Sequence, residues 1–190
     1  MKINKITEQA NLNTKNIDQK SIEDILLAIN NEDQLIAGQI KKVIPDISFF
    51  IEKVVKKLKS SGRLIYIGSG TSGRLGVLDA SECPPTFGVS QELVIGMIAG
   101  GDIALKESVE DAEDSLEDSV MSLKEINLNS NDTLLGISAS GSTAYVMTAL
   151  QYGRKVGALT GFLTCNDINS LDYIDCLIKV IVGPEILTGS

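Results

Sequence analysis

Histidine is absent from all 190 residues. Its absence rules out His-based catalytic triads and imidazole metal sites, and leaves carboxylates as the leading candidates for proton transfer near neutral pH. Cysteine is scarce. Cys83, Cys165 and Cys176 form an odd, unpatterned set, read as reduced thiols of a cytoplasmic protein rather than a disulfide framework. No run of 18 apolar residues occurs, so no membrane span is expected. The first twenty residues, MKINKITEQANLNTKNIDQK, lack a hydrophobic signal core, so nothing directs export. Positive charge is in deficit, with 17 Lys and Arg against 25 Asp and Glu, a net charge of −8. That balance argues against nucleic acid and anionic membrane as partners.

Hydrophobic residues make up 43% of the chain, enough to build a core. The length suits one domain with a helical extension. Residues 1–60 read as an N-terminal arm and helices, and residues 61–190 as the domain proper. Residues 1–17 form the polar arm. Ile22, Leu26, Leu27 and Ile29 suggest a short helix ending near Asn30 and Asn31, followed by a longer one over 33–59 that Pro45 kinks or interrupts. Strands are predicted near 63–68, 92–98, 132–138, 156–163 and 176–182, with helices near 72–82, 104–126 and 142–153. Short strands alternating with helices imply an α/β fold: a doubly wound, five-stranded, mostly parallel sheet with right-handed crossovers.

The stretch RLIYIGSGTSGRLGVLDASECPPTF, residues 63–87, organises the rest. An apolar strand leads into Gly68-Ser69-Gly70-Thr71-Ser72-Gly73, whose three glycines let the backbone approach a ligand, and then into a helix whose first N–H groups are free. Strand, glycine turn and helix N-terminus together make an anion site. The turn matches G-x-G-x-x-G, a weak signal for dinucleotides unless an acid closes the next strand; Asp102 is the candidate. The hydroxyls of Ser69, Thr71 and Ser72 favour a terminal phosphate monoester instead. Cys83-Pro84-Pro85 reads as a rigid stop to the helix.

A second strand, Asp132–Ile137, runs into a similar turn, Ser138-Ala139-Ser140-Gly141-Ser142-Thr143. In a doubly wound sheet, turns at the carboxyl ends of strands flanking the switch point face one crevice, so two cradles could grip one phosphate. The competing reading is that Ser and Thr simply cap helices.

Two acids stand out. Val109, Ala112, Leu116, Val120 and Leu123 form an apolar stripe on the expected 104–126 helix, and Glu113 lies roughly 40° from Val109 on it. Glu110, Asp111, Asp114 and Asp118 fall outside the stripe. Glu82 is spaced 4 and 7 residues from Leu78 and Leu75, a weaker case that Asp79 dilutes. A carboxylate on a core-facing stripe needs a reason; capping a backbone or pairing with a lysine or arginine is the plain one.

The runs GRLIYIGSGTSGRLGVLDASECPPTFGV, MIAGGDIALKESVEDAEDS, GISASGSTAYV and IVGPEILTGS closely resemble the N-acetylmuramic acid 6-phosphate etherases of the sugar isomerase (SIS) superfamily, relatives of the glucokinase regulatory protein. The resemblance runs from about Ile6 to Ser190 and implies the flavodoxin-like strand order. It implies a cytoplasmic, homodimeric lyase without metal or cofactor, acting in cell-wall recycling. Its substrate would be N-acetylmuramic acid 6-phosphate, cleaved to N-acetylglucosamine 6-phosphate and D-lactate. By similarity Glu82 matches the catalytic acid/base and Glu113 the second catalytic glutamate. Gly70, Thr71, Ser72, Ser138, Ser140, Ser142 and Thr143 fall on the sugar-phosphate-binding turns. The second turn reads SGSTA where some relatives have SGRTP, so an arginine near the phosphate is missing. The family pattern also continues beyond Leu187–Ser190 into a helical region, so this chain is expected to be an N-terminal portion.

The chemistry suits two carboxylates. One takes the C2 proton of the open-chain sugar and another protonates the departing ether oxygen; water then adds to the unsaturated aldehyde. Sharing a pocket would separate their pKa values, keeping one protonated and one ionised. A non-catalytic sugar-phosphate sensor would use the same turns without both acids. An aldose–ketose isomerase would need a base but no leaving-group acid.

Overall fold

The computed structural model describes residues 5–109 and 112–188; the start of the arm, Glu110, Asp111 and the last two residues lie outside them. Five parallel strands, β1 (Leu64–Gly68), β2 (Val94–Ile98), β3 (Thr133–Ile137), β4 (Leu159–Thr164) and β5 (Cys176–Lys179), form one sheet in the order β2-β1-β3-β4-β5. The chain steps outward from β1 to β2, then crosses to β3 on the other side of β1. The switch point therefore lies between β1 and β3.

Alternate residues of each strand feed two separate cores. Ile65, Ile67, Leu134 and Phe162 point to one face, where they pack with Val146, Ala149 and Leu150 of α4 (Ala144–Val156) and Leu123 of α3 (Leu116–Glu125). Leu64, Tyr66, Leu135 and Leu163 point to the other, beneath Phe50 and Val54 of α1 (Ile22–Lys59). The remaining α-helix, α2 (Gly70–Phe87), packs against β1 and β2.

Three expected boundaries are corrected. The two N-terminal helices are a single α1 of 38 residues, which runs through Asn30, Asn31 and Pro45. Ser21 caps it, its hydroxyl accepting from Asp24 N at 3.2 Å, and Pro45 is exposed. Pro84 and Pro85 do not stop α2. It continues to Phe87 and ends at Gly88, which adopts the left-handed conformation (φ 65°) typical of a helix C-terminus. The expected 104–126 helix is broken: Gly101–Leu105 and Ala112–Asp114 are 3₁₀ turns, and α3 starts only at Leu116.

The arm is ordered from Lys5 as a series of 3₁₀ turns rather than trailing away. Asn11 and Thr14 are buried, donating to Pro184 O at 3.3 Å and Ile186 O at 2.7 Å. The base of the sheet is fixed by Asp132, 1% exposed, which joins the start of β3 to Arg63 just before β1.

Candidate functional site

The first turn is shaped as much by packing as by access. A Cβ on Gly68 would meet Gly73 N at 2.7 Å, and one on Gly73 would meet Ile98 Cγ1 at 2.6 Å. These glycines let α2 start hard against the end of β1, so they are not both free to receive a ligand. Gly70 is the open one: its φ is +51° and nothing lies within 4 Å of its missing Cβ. Because α2 begins at Gly70, Thr71 and Ser72 sit in its first turn, beside N–H groups that have no intrahelical acceptor.

Neither turn uses its hydroxyl as a cap. Ser69 and Thr143, the residues preceding α2 and α4, make no side-chain capping bond. The hydroxyls of the second turn bond one another instead. Ser138 Oγ lies 2.8 Å from Thr143 Oγ1 and 3.4 Å from Ser140 Oγ, which is 3.4 Å from Ser142 Oγ. Gly141 takes φ +72° at the apex. The carbonyl of Ala139 accepts from Cys165 N, Thr164 Oγ1 and Asn166 Nδ2, tying this turn to the end of β4. Gly68 and Ile137 are register partners, so the two turns leave adjacent strands, roughly 4.8 Å apart, at the switch point.

A cleft of about 430 Å³ opens beside the first turn, lined by Ser69, Gly70, Arg74, Ser108 and Glu113 among others. Ser69 Oγ donates to Glu113 Oε2 at 3.5 Å. Arg74 donates to the carbonyls of Leu105 and Glu107 at 3.4 and 3.0 Å, holding the loop after β2 over the cleft. Asp102, the residue a dinucleotide would require, is exposed and does not line the cleft. Arg74 and Ser108 carry little signal in the sequence beyond a lone cation in the first turns of α2.

Both acids are placed differently from expectation. Glu113 is exposed on a short 3₁₀ turn rather than on a core-facing helix stripe, yet that turn brings it to the cleft. Glu82 is also exposed. Its companions Leu75 and Leu78 are each 57% exposed, while the buried face of α2 is Gly73, Gly76 and Ala80. Small residues permit the close approach, so the larger apolar ones are left outward. Glu82 lies twelve residues beyond Gly70, about 18 Å along the helix axis at 1.5 Å per residue, and does not line the cleft. Among the described residues, this cleft holds Glu113 without Glu82. Thr71, Ser72 and the second turn also lie outside the residues lining it.

Other ionisable groups near α2 have structural partners. Burial and the adjacent Asp79 carboxylate push the Tyr66 phenol well above its usual range. All three cysteines are free, and burial above all raises each thiol, so none is activated as a thiolate. Among the described residues no helix is long and apolar enough to cross a membrane.

Residues 46–154 match the family model of the glucokinase regulatory protein N-terminal SIS domain. The chain belongs to this SIS family. Its SIS fold is shared with a phosphoheptose isomerase from Francisella tularensis, at TM-score 0.64 and 17% identity over 85% of this chain and 86% of that one. Curated relatives are much nearer in sequence. An N-acetylmuramic acid 6-phosphate etherase of Caldanaerobacter subterraneus subsp. tengcongensis is 52% identical over 186 residues, 97% of this chain and 61% of the relative. Another of that name, from Clostridium botulinum, is 52% identical over 185 residues, 97% of this chain and 62% of the relative. The chain thus spans about three-fifths of the length of the curated relatives it matches.

Proposed function

We propose that this SIS protein is the sugar-phosphate-binding and acid–base portion of an enzyme that cleaves the D-lactyl ether of N-acetylmuramic acid 6-phosphate. The observation that carries this reading is the 52% identity to named etherases across 97% of the chain. The products are N-acetylglucosamine 6-phosphate and D-lactate, and the setting is cytoplasmic recycling of cell-wall sugars. The 6-phosphate lies at the hydroxyl-rich turns at the switch point, with Gly70, Thr71 and Ser72 on one side and Ser138, Ser140, Ser142 and Thr143 on the other. The phosphate is remote from the bond that breaks, so its binding energy positions the reacting carbons.

In the open-chain sugar, removal of the C2 proton next to the aldehyde expels the lactyl oxygen from C3. A carboxylic acid protonates that oxygen as it leaves. Water then adds at C3 of the unsaturated aldehyde, with the acid now acting as base. Glu113, at the cleft beside the first turn, takes the C2 proton; Glu82 protonates the lactyl oxygen. Because Glu82 lies far along α2 from that cleft, the reading requires a second copy to present it. Leu75, Leu78 and Phe87 leave α2 with an exposed apolar face, and Leu26, Leu27, Ile44 and Phe49 do the same for α1. A homodimer covers both. Light scattering at micromolar concentration is expected to give a dimer; a strictly monomeric protein would count against a shared site.

The deciding assay is D-lactate release from N-acetylmuramic acid 6-phosphate by the protein at the full length of its relatives. Binding alone, without release, would favour a sensing role such as the glucokinase regulatory match suggests. For the phosphate, Ser72→Ala and Ser140→Ala are each expected to weaken N-acetylglucosamine 6-phosphate binding by about 1–3 kcal/mol, the scale of hydrogen bonds to a charged group. Calorimetry that finds both variants unchanged removes the turns as the phosphate site.

A further inference from the structure

We infer that Lys5, on the N-terminal arm, supplies the cation that the second turn lacks, and that buried Asn166 holds it there. The inference rests on the proposed function only in placing the substrate's phosphate at that turn.

The second turn offers four hydroxyls and no charge. Arg74 at the first turn is committed to two backbone carbonyls. The chain as a whole carries a net charge of −8, so the general field repels a phosphate dianion. A local cation is what such a site needs, because charge-assisted hydrogen bonds are roughly twice as strong as neutral ones. Lys5 supplies one: its Nζ donates to Ser142 Oγ. An ammonium has three N–H donors, so one bond to Ser142 leaves two for phosphate oxygens.

The placement is built rather than incidental. Asn166, at the end of β4, is 2% exposed. Its Oδ1 accepts from Ile6 N at 2.6 Å and Thr7 N at 3.4 Å. Its Nδ2 donates to Thr7 Oγ1 at 2.8 Å and to Ala139 O at 3.0 Å. All the bonding capacity of one buried amide thus joins the residues directly after Lys5 to a residue of the second turn itself. Arm and turn are thereby tied together next to Lys5. Asn166 is accordingly a positioning residue, whereas Lys5 touches the phosphate.

The test is calorimetry of N-acetylglucosamine 6-phosphate, with unphosphorylated N-acetylglucosamine alongside, at low and high NaCl. Lys5→Gln, a change at a partly exposed side chain, is expected to weaken binding of the phosphorylated sugar about 10- to 100-fold. It should also flatten the salt dependence and leave the unphosphorylated sugar unaffected. Lys5→Arg keeps the charge and should retain most of the affinity. Asn166→Ala should reproduce the loss and the flattened salt response through a freed arm. Wild-type affinity in Lys5→Gln, with Ser140→Ala still impaired, overturns the role of Lys5 and leaves the phosphate site standing. Loss in Lys5→Gln that Lys5→Arg does not recover also overturns it, since charge would not be the cause. If the wild-type protein does not distinguish the two sugars, the phosphate reading falls and this inference with it.

Discussion

Glu113→Gln is expected to abolish both D-lactate release and exchange of solvent deuterium into C2 of N-acetylmuramic acid 6-phosphate. Glu82→Gln should abolish release but keep the exchange. The difference follows from the order of bond changes. A glutamine preserves shape and hydrogen bonding but neither takes nor delivers a proton. Without the base nothing starts; without the acid, deprotonation at C2 proceeds and reverses while the ether oxygen fails to leave. Each loss should be about 10²–10⁴ in rate, the usual contribution of a positioned general acid or base. NMR of the substrate in D₂O with each variant, in the protein at the full length of its relatives, reads both outcomes. Exchange surviving in the Glu113 variant instead would reverse the roles. Near-normal release in both would discard the mechanism. Mixing the two variants adds a second check. If a dimer shares its acids between copies, a heterodimer retains one intact pair and recovers part of the activity.

The second large effect concerns stability and lies far from the cleft. Asp132 accepts five hydrogen bonds, three from Arg63 (backbone N, Nε and one Nη) and two from Asn129. Burial works to raise its carboxyl pKa, but the Arg63 side-chain bond, the Asn129 and Arg63 backbone bonds and the Arg63 charge outweigh it and hold the group below its usual range. Asp132→Ala removes one partner of a mostly buried pair and should cost about 3–5 kcal/mol, read as a lowered urea midpoint at neutral pH. The pH dependence has a definite sign. A carboxyl depressed in the folded state stabilises fully above its unfolded pKa, about 3.9, and loses that contribution as pH falls through the folded value. Wild type should therefore lose this stability only in the acid range below about pH 4, and the variant should show a flatter acid limb. An unchanged midpoint at neutral pH would contradict this account of the sheet's base.

Much of the fold is legible from local pattern. The five apolar runs between helical stretches gave the parallel sheet, and the repeated strand-to-turn motif located adjacent strand ends at the switch point. What misled was periodicity on its own. Spacing identifies Leu75, Leu78 and Glu82 as one face of α2 but cannot say that this face points outward; the close packing of Gly73 and Gly76 decides that. The stripe from Val109 to Leu123 has the spacing of one helix, yet the helix starts afresh after Ser115. Ser115 Oγ donates to the Asp118 carboxylate, although its side chain makes no capping bond to the backbone. Asn30, Asn31 and Pro45 read as breaks in the sequence, yet on an exposed stretch of α1 they cost little that neighbouring turns cannot absorb. The clamp between Asn166 and residues 6 and 7 was beyond reach, because it joins positions about 160 apart in the chain.

The length of α1 sets how the molecule opens. At 38 residues the helix is about 57 Å long, while five strands at roughly 4.8 Å spacing make a sheet less than half as wide. Only Phe50 and Val54 in α1 are buried, both in its last third. In an isolated chain, the amides around them are expected to exchange with solvent only when the sheet itself comes apart. Those before Ile40, where Asn13 of the arm donates to Glu32 at 2.9 Å, are expected to exchange mainly through fraying. The same continuous backbone ladder therefore spans the softest and the firmest parts of the protein, and whatever covers the free half draws the two together.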